Sequence, residues 1–167
     1  MIREAEVNDS VRIAEIEVAG SRFAYGSILS HECLYKDFTV ENRSPVCRRW
    51  IAEKMFGVYV YEDPGTGMLK GMMGIGMCGD DDKKDAFELH FLYVDPDHSR
   101  GGIGSEMLQF FEKAGKDKGC RESVIWVLEE NEIGKNFYEK NKYHSDGKEK
   151  IFMRWNKKEI RYVKNLD

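Results

Sequence analysis

Apolar residues in the first third of the chain recur mainly at helical spacing. A short strand is predicted at residues 2–5, after which Asn8 or Asp9 offers an N-cap for a helix. The buried face of that helix is predicted from apolar positions at Val11, Ile13, Ala14, Ile16 and Val18. From Ser30 to Phe56 the pattern is helical but interrupted, and Pro45 is expected in the first turn of a second helix.

The pattern then becomes that of strands. The segments "GVYVYED" and "MLKGMMGIGMCG" are predicted to pair as a hairpin, because "DPGTG" at residues 63–67 has the chemistry of a turn. The glycines of the second segment suggest close approach by another backbone or a ligand. After the charged run "DDDKKD", interpreted as a solvated turn, the strand "AFELHFLYV" at residues 86–94 completes a predicted antiparallel meander.

The second half of the chain alternates between the two patterns. A helix with an apolar face is predicted to end at Gly119, and its face comprises Ile103, Met107, Phe110 or Phe111, and Ala114. The next strand, "ESVIWVL", is expected to run parallel to the previous one, because a helix connects them. The helix "EIGKNFYEKN" and short strands near residues 143–145 and 159–166 follow. These elements predict an α+β domain with a mixed, mostly antiparallel sheet and one parallel β-α-β unit.

Composition excludes several classes of function. A net charge of −4 argues against general binding to nucleic acids or acidic membranes, and 167 residues fit one domain. No apolar run approaches the roughly 20 residues that span a bilayer, and the charged N-terminus is unlike a signal peptide. The 4 cysteines and 4 histidines are scattered, which predicts no metal site and a reducing, cytoplasmic compartment.

The stretch "YVDPDHSRGGIGSEML" places a glycine-rich loop between a strand and a helix. Backbone amides of such a loop, together with the helix N-terminus, can bind a phosphate, and Arg100 could add a charged contact. The alternative is a tight turn without a ligand. A Walker A loop is excluded because Ser105 follows Gly104 with no lysine between them. A dinucleotide-binding fingerprint fits poorly, because Met107 occupies the place of its third glycine.

A third pattern fits these residues. The loop resembles motif A of the GNAT (GCN5-related) N-acetyltransferase family, with Gly102 and Gly104 as its final pair. Ser99 stands where the family usually has glutamine or arginine, and Arg100 partly substitutes for it. The later segment "NEIGKNFYEKNKY" is similar to the family's second signature, and residues 21–53 are similar to a segment of bacterial GNAT proteins.

The resemblance implies a fold and a cosubstrate. It implies a single N-acetyltransferase domain over residues 1–167, with helices on both faces of the sheet and acetyl-CoA in a cleft formed by the parallel β-α-β unit. The pantetheine arm would pair with the end of the strand, and the pyrophosphate would rest on the loop amides. The implied cofactor-binding residues are Leu92, Tyr93, Val94, Ser99, Arg100, Gly101, Gly102, Ile103, Gly104, Ser105, Asn131, Phe137 and Tyr138. No metal is implied.

The resemblance also implies catalytic roles. Tyr138 occupies the position near the CoA sulfur that is usually proposed as the general acid, although a core aromatic is its other interpretation. Because a phenol has a pKa near 10 and a thiol one near 8.5, Tyr138 is expected to act mainly as a hydrogen-bond donor to the developing thiolate. Asn131 would bond to pantetheine, cap the following helix, or do both. The backbone amide of Val94 would donate to the thioester carbonyl.

An acceptor amine needs a base, because an alkylamine has a pKa near 10.4 and is mostly protonated at neutral pH. Alternation along the strand puts Glu88 and His90 on one face, and Glu88 is the preferred base, with His90 or a water chain as alternatives. Both residues could instead be ordinary exposed polar groups on a strand.

The sequence therefore predicts transfer of an acetyl group from acetyl-CoA to a primary amine by direct attack. The alternative is a non-catalytic acyl-CoA sensor with the same fold. The partners implied are acetyl-CoA and an amine acceptor of unknown identity, without nucleic acid or membrane, and a homodimer stays open. Candidate residues lining the acceptor site are Tyr25, His31, Glu32, Trp50 and Glu53.

Overall fold

The computed structural model describes residues 1–166 and contains four α-helices and seven strands in that range. The helices are α1 (Ser10–Tyr25), α2 (Val40–Ala52), α3 (Ile103–Asp117) and α4 (Glu132–Lys140). The strands are β1 (Ile2–Glu4), β2 (Gly57–Glu62), β3 (Leu69–Met77), β4 (Ala86–Val94), β5 (Glu122–Leu128), β6 (His144–Phe152) and β7 (Lys157–Asn165). The short helices are 3₁₀ turns at Val7–Asp9 and Pro96–His98 and a π-helical turn at Cys33–Asp37.

The strands follow the hydrogen-bonded order β1-β2-β3-β4-β5-β7-β6, which confirms the predicted mixed α+β class. The pairs β1–β2, β2–β3, β5–β7 and β6–β7 are antiparallel. The pair β4–β5 is parallel, as predicted, with register from Ala86 opposite Glu122 to Leu89 opposite Ile125. Contacts divide the chain into one unit of Met1–Ile75 with Phe91–Phe110 and another of Gly76–His90 with the residues from Phe111 onward.

The first unit is built on helices α1 and α2 and strands β1 to β3. The helix side of its core includes Ile13, Ala14 and Ile16, all fully buried, and the sheet side includes Val60 and Met72. Val11, which was predicted on the same face of α1, is 52% exposed, so that assignment is wrong. Its position in the first turn, two residues before Ile13, turns the side chain away from the core at 100° per residue.

Helix α1 starts where the sequence predicts, with Asp9 at its N-cap position. The Asp9 side chain nevertheless accepts no hydrogen bond from an amide of the helix. Its carboxylate instead accepts a 2.8 Å hydrogen bond from the Glu6 amide and pairs with Arg3 at 2.8 Å. Arg3 on β1 therefore binds the carboxylate oxygens that would otherwise accept hydrogen bonds from the helix amides.

Helix α2 starts earlier than predicted. Thr39 is its N-cap and accepts a 3.3 Å hydrogen bond from the Asn42 amide. Pro45 therefore lies inside the helix, beyond the first turn where it was expected. A cap six residues before the proline fixes the start of the helix, and the proline costs it one backbone hydrogen bond.

The β2–β3 hairpin and its turn agree with the prediction. Oδ1 of Asp63 accepts hydrogen bonds from the amides of Gly65 and Thr66, and Gly67 has a φ of 70°. The close approach expected at the glycines of β3 comes from side chains of the protein. At Gly74, a Cβ atom would lie 2.5 Å from the Phe91 ring and 2.8 Å from the Phe56 ring.

The second unit contains the parallel pair and the β6–β7 hairpin. Its core includes Val124 and Val163, with Trp126 packed against them, and Phe111 stacks on Phe87. Of the two phenylalanines left open by the sequence, Phe111 is thus the fully buried one. Gly119 has a φ of 79° and follows the last turn of α3, as predicted.

The β6 prediction of residues 143–145 is wrong, since the strand runs over His144–Phe152. It pairs with β7 at the edge of the sheet, and nearly all of its side chains are exposed. Charged residues are common on such edges because they discourage pairing with other chains, so this strand lacks the apolar alternation used to recognise strands. Within residues 1–166, no helix is both long and apolar enough to cross a membrane.

Candidate active site

The glycine-rich loop follows β4 in the first unit and is anchored at Asp95. This residue is 8% exposed, and its carboxylate pairs with Arg12 of α1 and accepts a 3.1 Å hydrogen bond from the Asp97 amide. The Asp95 amide donates to the Lys70 carbonyl on β3 at 2.9 Å. The turn at Pro96–His98 is therefore fixed to both a helix and a strand before the loop begins.

The loop presents backbone amides at the start of α3. Ser99, Arg100, Gly101 and Gly102 are exposed, and Arg100 and Gly102 have positive φ angles of 65° and 85°. The amides of Ile103, Gly104 and Ser105 lie in the first turn of α3, where the helix itself offers them no acceptor. Helix α3 is 15 residues long, and its dipole makes this end favourable for an anion.

The end of β4 places Tyr93 against helix α1. Its hydroxyl lies 3.5 Å from that of Tyr25, and a Cβ atom at Gly20 would lie 2.8 Å from the ring. Burial raises the pKa of Tyr93, and the charge of Glu17 adds to this effect. Leu92 and Val94 are half-buried on either side of it.

The candidate acceptor residues of the first unit have separate surroundings. Trp50 stacks on Phe91 with ring centroids 5.0 Å apart, so its ring belongs to an aromatic cluster. His31 stacks on Tyr35 at 4.5 Å, and Glu32 pairs with Lys36 on the surface. Glu53 follows the last residue of α2 as its C-cap.

Glu88 and His90 are brought together on β4 in the second unit. Oε1 of Glu88 lies 3.3 Å from Nδ1 of His90, and Oε2 accepts a 3.4 Å hydrogen bond from the Gly79 amide. Burial, the largest single effect, raises the pKa of Glu88. The burial effect is outweighed by the hydrogen bond and charge of His90, the Gly79 amide and the charge of Lys150. The net result is a pKa of Glu88 below its ordinary value. The carboxylate is therefore ionised at neutral pH.

Both residues line an open pocket of about 420 Å³. The same pocket is lined by Trp126 of β5, Lys150 to Phe152 of β6, Met153, Arg154, and Glu159 of β7. The sequence did not identify these residues as neighbours of Glu88 and His90, although Trp126 belongs to a predicted strand. These residues come from three strands, and their convergence depends on the order β4-β5-β7-β6, which periodicity does not reveal.

Asn131, Phe137 and Tyr138 lie together around helix α4 of the second unit. Asn131 is 8% exposed and caps the helix through a 3.0 Å hydrogen bond from the Gly134 amide to its Oδ1. Tyr138 is 9% exposed and packs edge to face with Phe137 and Tyr143, at centroid distances of 5.2 and 5.9 Å. Both the cap and the aromatic core, which were the simpler interpretations of Asn131 and Tyr138, are thus present.

Helix α4 and the pocket lie on opposite faces of β5. A Cβ atom at Gly134 would lie 3.3 Å from the Val127 side chain, which points to one face of the strand. Trp126, the adjacent residue, points to the other face and lines the pocket with Glu88. No group of three or more His, Cys, Asp or Glu residues suited to a metal is found among residues 1–166.

Comparisons with known proteins agree on one family. The model of the GNAT acetyltransferase family matches residues 26–143. An uncharacterized N-acetyltransferase of Bacillus subtilis, YuaI, is 25% identical over 134 residues, which cover 78% of this chain and 72% of that protein.

Solved structures show the same fold. The PaiA N-acetyltransferase of Thermoplasma acidophilum, solved with coenzyme A, has a TM-score of 0.73 at 20% identity, covering 96% of each chain. YncA of Salmonella typhimurium, solved with its cofactor acetyl-CoA, has a TM-score of 0.68 at 19% identity, covering 100% of this chain and 94% of that chain.

Proposed function

Because the chain belongs to the GNAT acetyltransferase family, we propose that it transfers the acetyl group of acetyl-CoA to a primary amine by direct attack. We propose further that residues 1–167 form a single N-acetyltransferase domain. The 4 cysteines all lie within residues 1–166 and form no disulfide there, which supports a reducing compartment such as the cytoplasm.

The loop residues fit the phosphates of acetyl-CoA. Amides from Ile103 to Ser105 have no acceptor within helix α3, and the positive φ of Gly102 allows the backbone from Arg100 to Ser105 to turn amides outward. Arg100 is exposed beside them and can supply a positive charge. In this proposal Leu92, Tyr93 and Val94 hold the pantetheine arm through backbone groups, and acetyl-CoA supplies the activated thioester.

The observation that carries amine transfer is an ionised carboxylate in an open pocket. An ammonium group must lose a proton before its nitrogen can attack a thioester, and Glu88 is negatively charged at neutral pH. Its neighbour His90, 3.3 Å away, can take part in passing the proton to solvent. The preferred base is therefore Glu88, as the sequence suggested, with His90 as the alternative.

The leaving thiolate needs a hydrogen-bond donor, which has to approach the thioester from a different side than the base. Tyr138 on α4 and Glu88 on β4 lie on opposite faces of β5. We assign the amine side to Glu88 and the thiol side to Tyr138, whose hydroxyl would donate a hydrogen bond as sulfur gains charge. Because the acid and the base lie on different faces, the new C–N bond can form on one side of the thioester carbon while the C–S bond breaks on the other.

The second candidate is a sensor that binds acetyl-CoA without turnover, and the capping role of Asn131 and the core packing of Tyr138 are compatible with it. Calorimetric titration with acetyl-CoA, followed by a free-thiol assay with a panel of primary amines, distinguishes the two. The proposal expects binding and amine-dependent thiol release. Binding without release on any amine supports the sensor, and absence of binding rejects both.

A further inference from the structure

A lysine of the protein itself, Lys150, lines the pocket that contains Glu88. Lys150, on β6, extends over the indole of Trp126, with Nζ 4.0 Å from the ring centroid. The same Nζ lies 3.9 Å from Oε2 of Glu159, its cross-strand partner on β7. An alkylammonium group therefore already occupies a place between an aromatic face and a carboxylate.

The contacts of Lys150 are loose. Its side chain is 43% exposed, and its distance to Glu159 is at the limit of an ion pair. Glu159 is only 12% exposed and has no shorter ion pair within residues 1–166. Burial raises the pKa of Glu159, Lys150 opposes that shift, and the charge of Glu88 adds to it. A cation closer than Lys150 would therefore stabilise the ionised form of Glu159.

The cavity is lined by the carboxylates of Glu88 and Glu159 and by the cations Lys150 and Arg154, so displacement of Lys150 leaves two carboxylates with one arginine. Glu88 and Glu159 both line the cavity, and the charge of Glu88 contributes to the raised pKa of Glu159. Arg161 lies 5.6 Å from the Trp126 centroid, but it is 2% exposed and is bound by carboxylates of Asp80, Asp82 and Asp146. Arg161 is thus fixed in place, whereas Lys150 can be displaced into solvent.

We propose that Trp126 and Glu159 form a subsite for a second ammonium group of the acceptor, which displaces Lys150 when it binds. This inference rests on the proposed function, because it places the acceptor in the pocket of Glu88. The amine that is acetylated must become neutral, whereas a group bound by an aromatic face and a carboxylate must remain charged. The acceptor class is therefore an aliphatic diamine, with one amine at Glu88 and the other at Glu159.

The test compares 1,4-diaminobutane with n-butylamine, which lacks the second charge. Glu159→Gln is expected to raise KM for the diamine about tenfold, the scale of one cation–π or ionic contact, with kcat little changed. KM for n-butylamine should change less than about twofold, since that amine does not need the subsite. Lys150→Met should lower KM for the diamine, because the internal competitor is removed.

Glu149→Gln is the matched control, because Glu149 is an exposed β6 residue that pairs with Lys158 outside this subsite. Thermal unfolding of each variant shows whether it is folded. Equal changes in KM for both amines, or a higher KM for the diamine in Lys150→Met, would overturn the proposal.

Calorimetric titration with 1,4-diaminobutane separates this inference from the proposed function. Binding that weakens in Glu159→Gln and tightens in Lys150→Met, without acetyl transfer, supports the subsite and rejects the enzyme. Acetyl transfer to n-butylamine, with diamine binding unaffected by either variant, rejects the subsite and keeps the enzyme.

Discussion

Oε1 of Glu88 lies 3.3 Å from Nδ1 of His90, two residues further along the same face of β4. The contact forms between side chains that alternation alone places next to each other, and it turns two polar residues of a strand into a coupled pair. The pair lines a pocket with Trp126 and Glu159, so its charge is available to a bound molecule.

Glu88→Gln should lower kcat/KM for amine acetylation by about 10²-fold or more, because the amide keeps the shape of the side chain but cannot accept a proton. Steady-state kinetics with a saturating acetyl-CoA concentration measures the loss. Glu129→Gln is the control, since Glu129 is an exposed carboxylate that pairs with Lys158. A variant at Glu88 with normal turnover would leave His90 or a water chain as the base.

The lowered pKa of Glu88 also predicts how its contribution to stability changes with pH. Burial raises this pKa, but the His90 hydrogen bond and charge and the Gly79 amide lower it below its ordinary value of 4.5. The folded state therefore binds the proton less readily than the unfolded state, and this stability is present above the unfolded pKa. The free-energy advantage of the wild type over Glu88→Gln should shrink as pH falls below 4.5. Urea unfolding at several pH values checks this, and a gap that widens towards acid would contradict it.

Tyr138→Phe should lower kcat while leaving the dissociation constant of acetyl-CoA nearly unchanged. The hydroxyl is proposed to bond to sulfur only as the thiolate develops, so its loss affects the transition state more than the ground state. The matched control is Tyr162→Phe, which removes another hydroxyl near α4, one that donates to Glu139 at 2.8 Å. Calorimetry and the free-thiol assay give the two quantities. Normal turnover in Tyr138→Phe would remove this residue from the chemistry.

Local sequence signals predicted the part of the fold that depends on interactions between residues close together in the sequence. The turn at Asp63, the end of α3 at Gly119 and the parallel β4–β5 pair followed from turn chemistry, glycine and a helical connection. The start of α2 and the length of β6 did not follow, because Thr39 is a weak signal beside Pro45 and β6 is an exposed, charged edge strand. The length of β6 depends on its partner β7, whereas the start of α2 depends on the local cap at Thr39.

The candidate site divides in the same way. Glu88 and His90 could be paired from the two-residue period of a strand, whereas Trp126, Lys150 and Glu159 could not be recognised. They meet because β7 lies between β5 and β6, an order that is not the order of the chain. No local pattern contains that information.

Gly102→Ala should weaken binding of acetyl-CoA more than Gly101→Ala does. Gly102 has a φ of 85°, where a residue with a Cβ atom costs about 1–2 kcal/mol, so the loop would relax and move its amides. Gly101 has no positive φ, and a Cβ atom there would have its nearest neighbour at 3.6 Å, so it is the control. Titration calorimetry with acetyl-CoA measures both. Equal affinities would show that the backbone conformation at Gly102 is not needed for binding.

The buried ion pair between Glu17 and Arg43 joins helices α1 and α2. Two hydrogen bonds of 2.9 and 2.8 Å connect the side chains, each about 6% exposed, and the guanidinium also lies 5.1 Å from the Trp50 ring centroid. Arg43→Met should lower the free energy of unfolding by about 3–5 kcal/mol, because the Glu17 carboxylate is left buried with only the Cys47 thiol, 3.5 Å away, as a partner.

The double variant Glu17→Leu with Arg43→Met separates the cost of an unpaired charge from that of lost packing. Since replacing both partners removes the buried charge, the double variant should recover most of the stability that Arg43→Met loses. Urea unfolding of the wild type, both single variants and the double variant provides the cycle. A double variant no more stable than Arg43→Met would mean that the guanidinium stabilises the helix pair mainly through its contacts with Trp50 and Phe38.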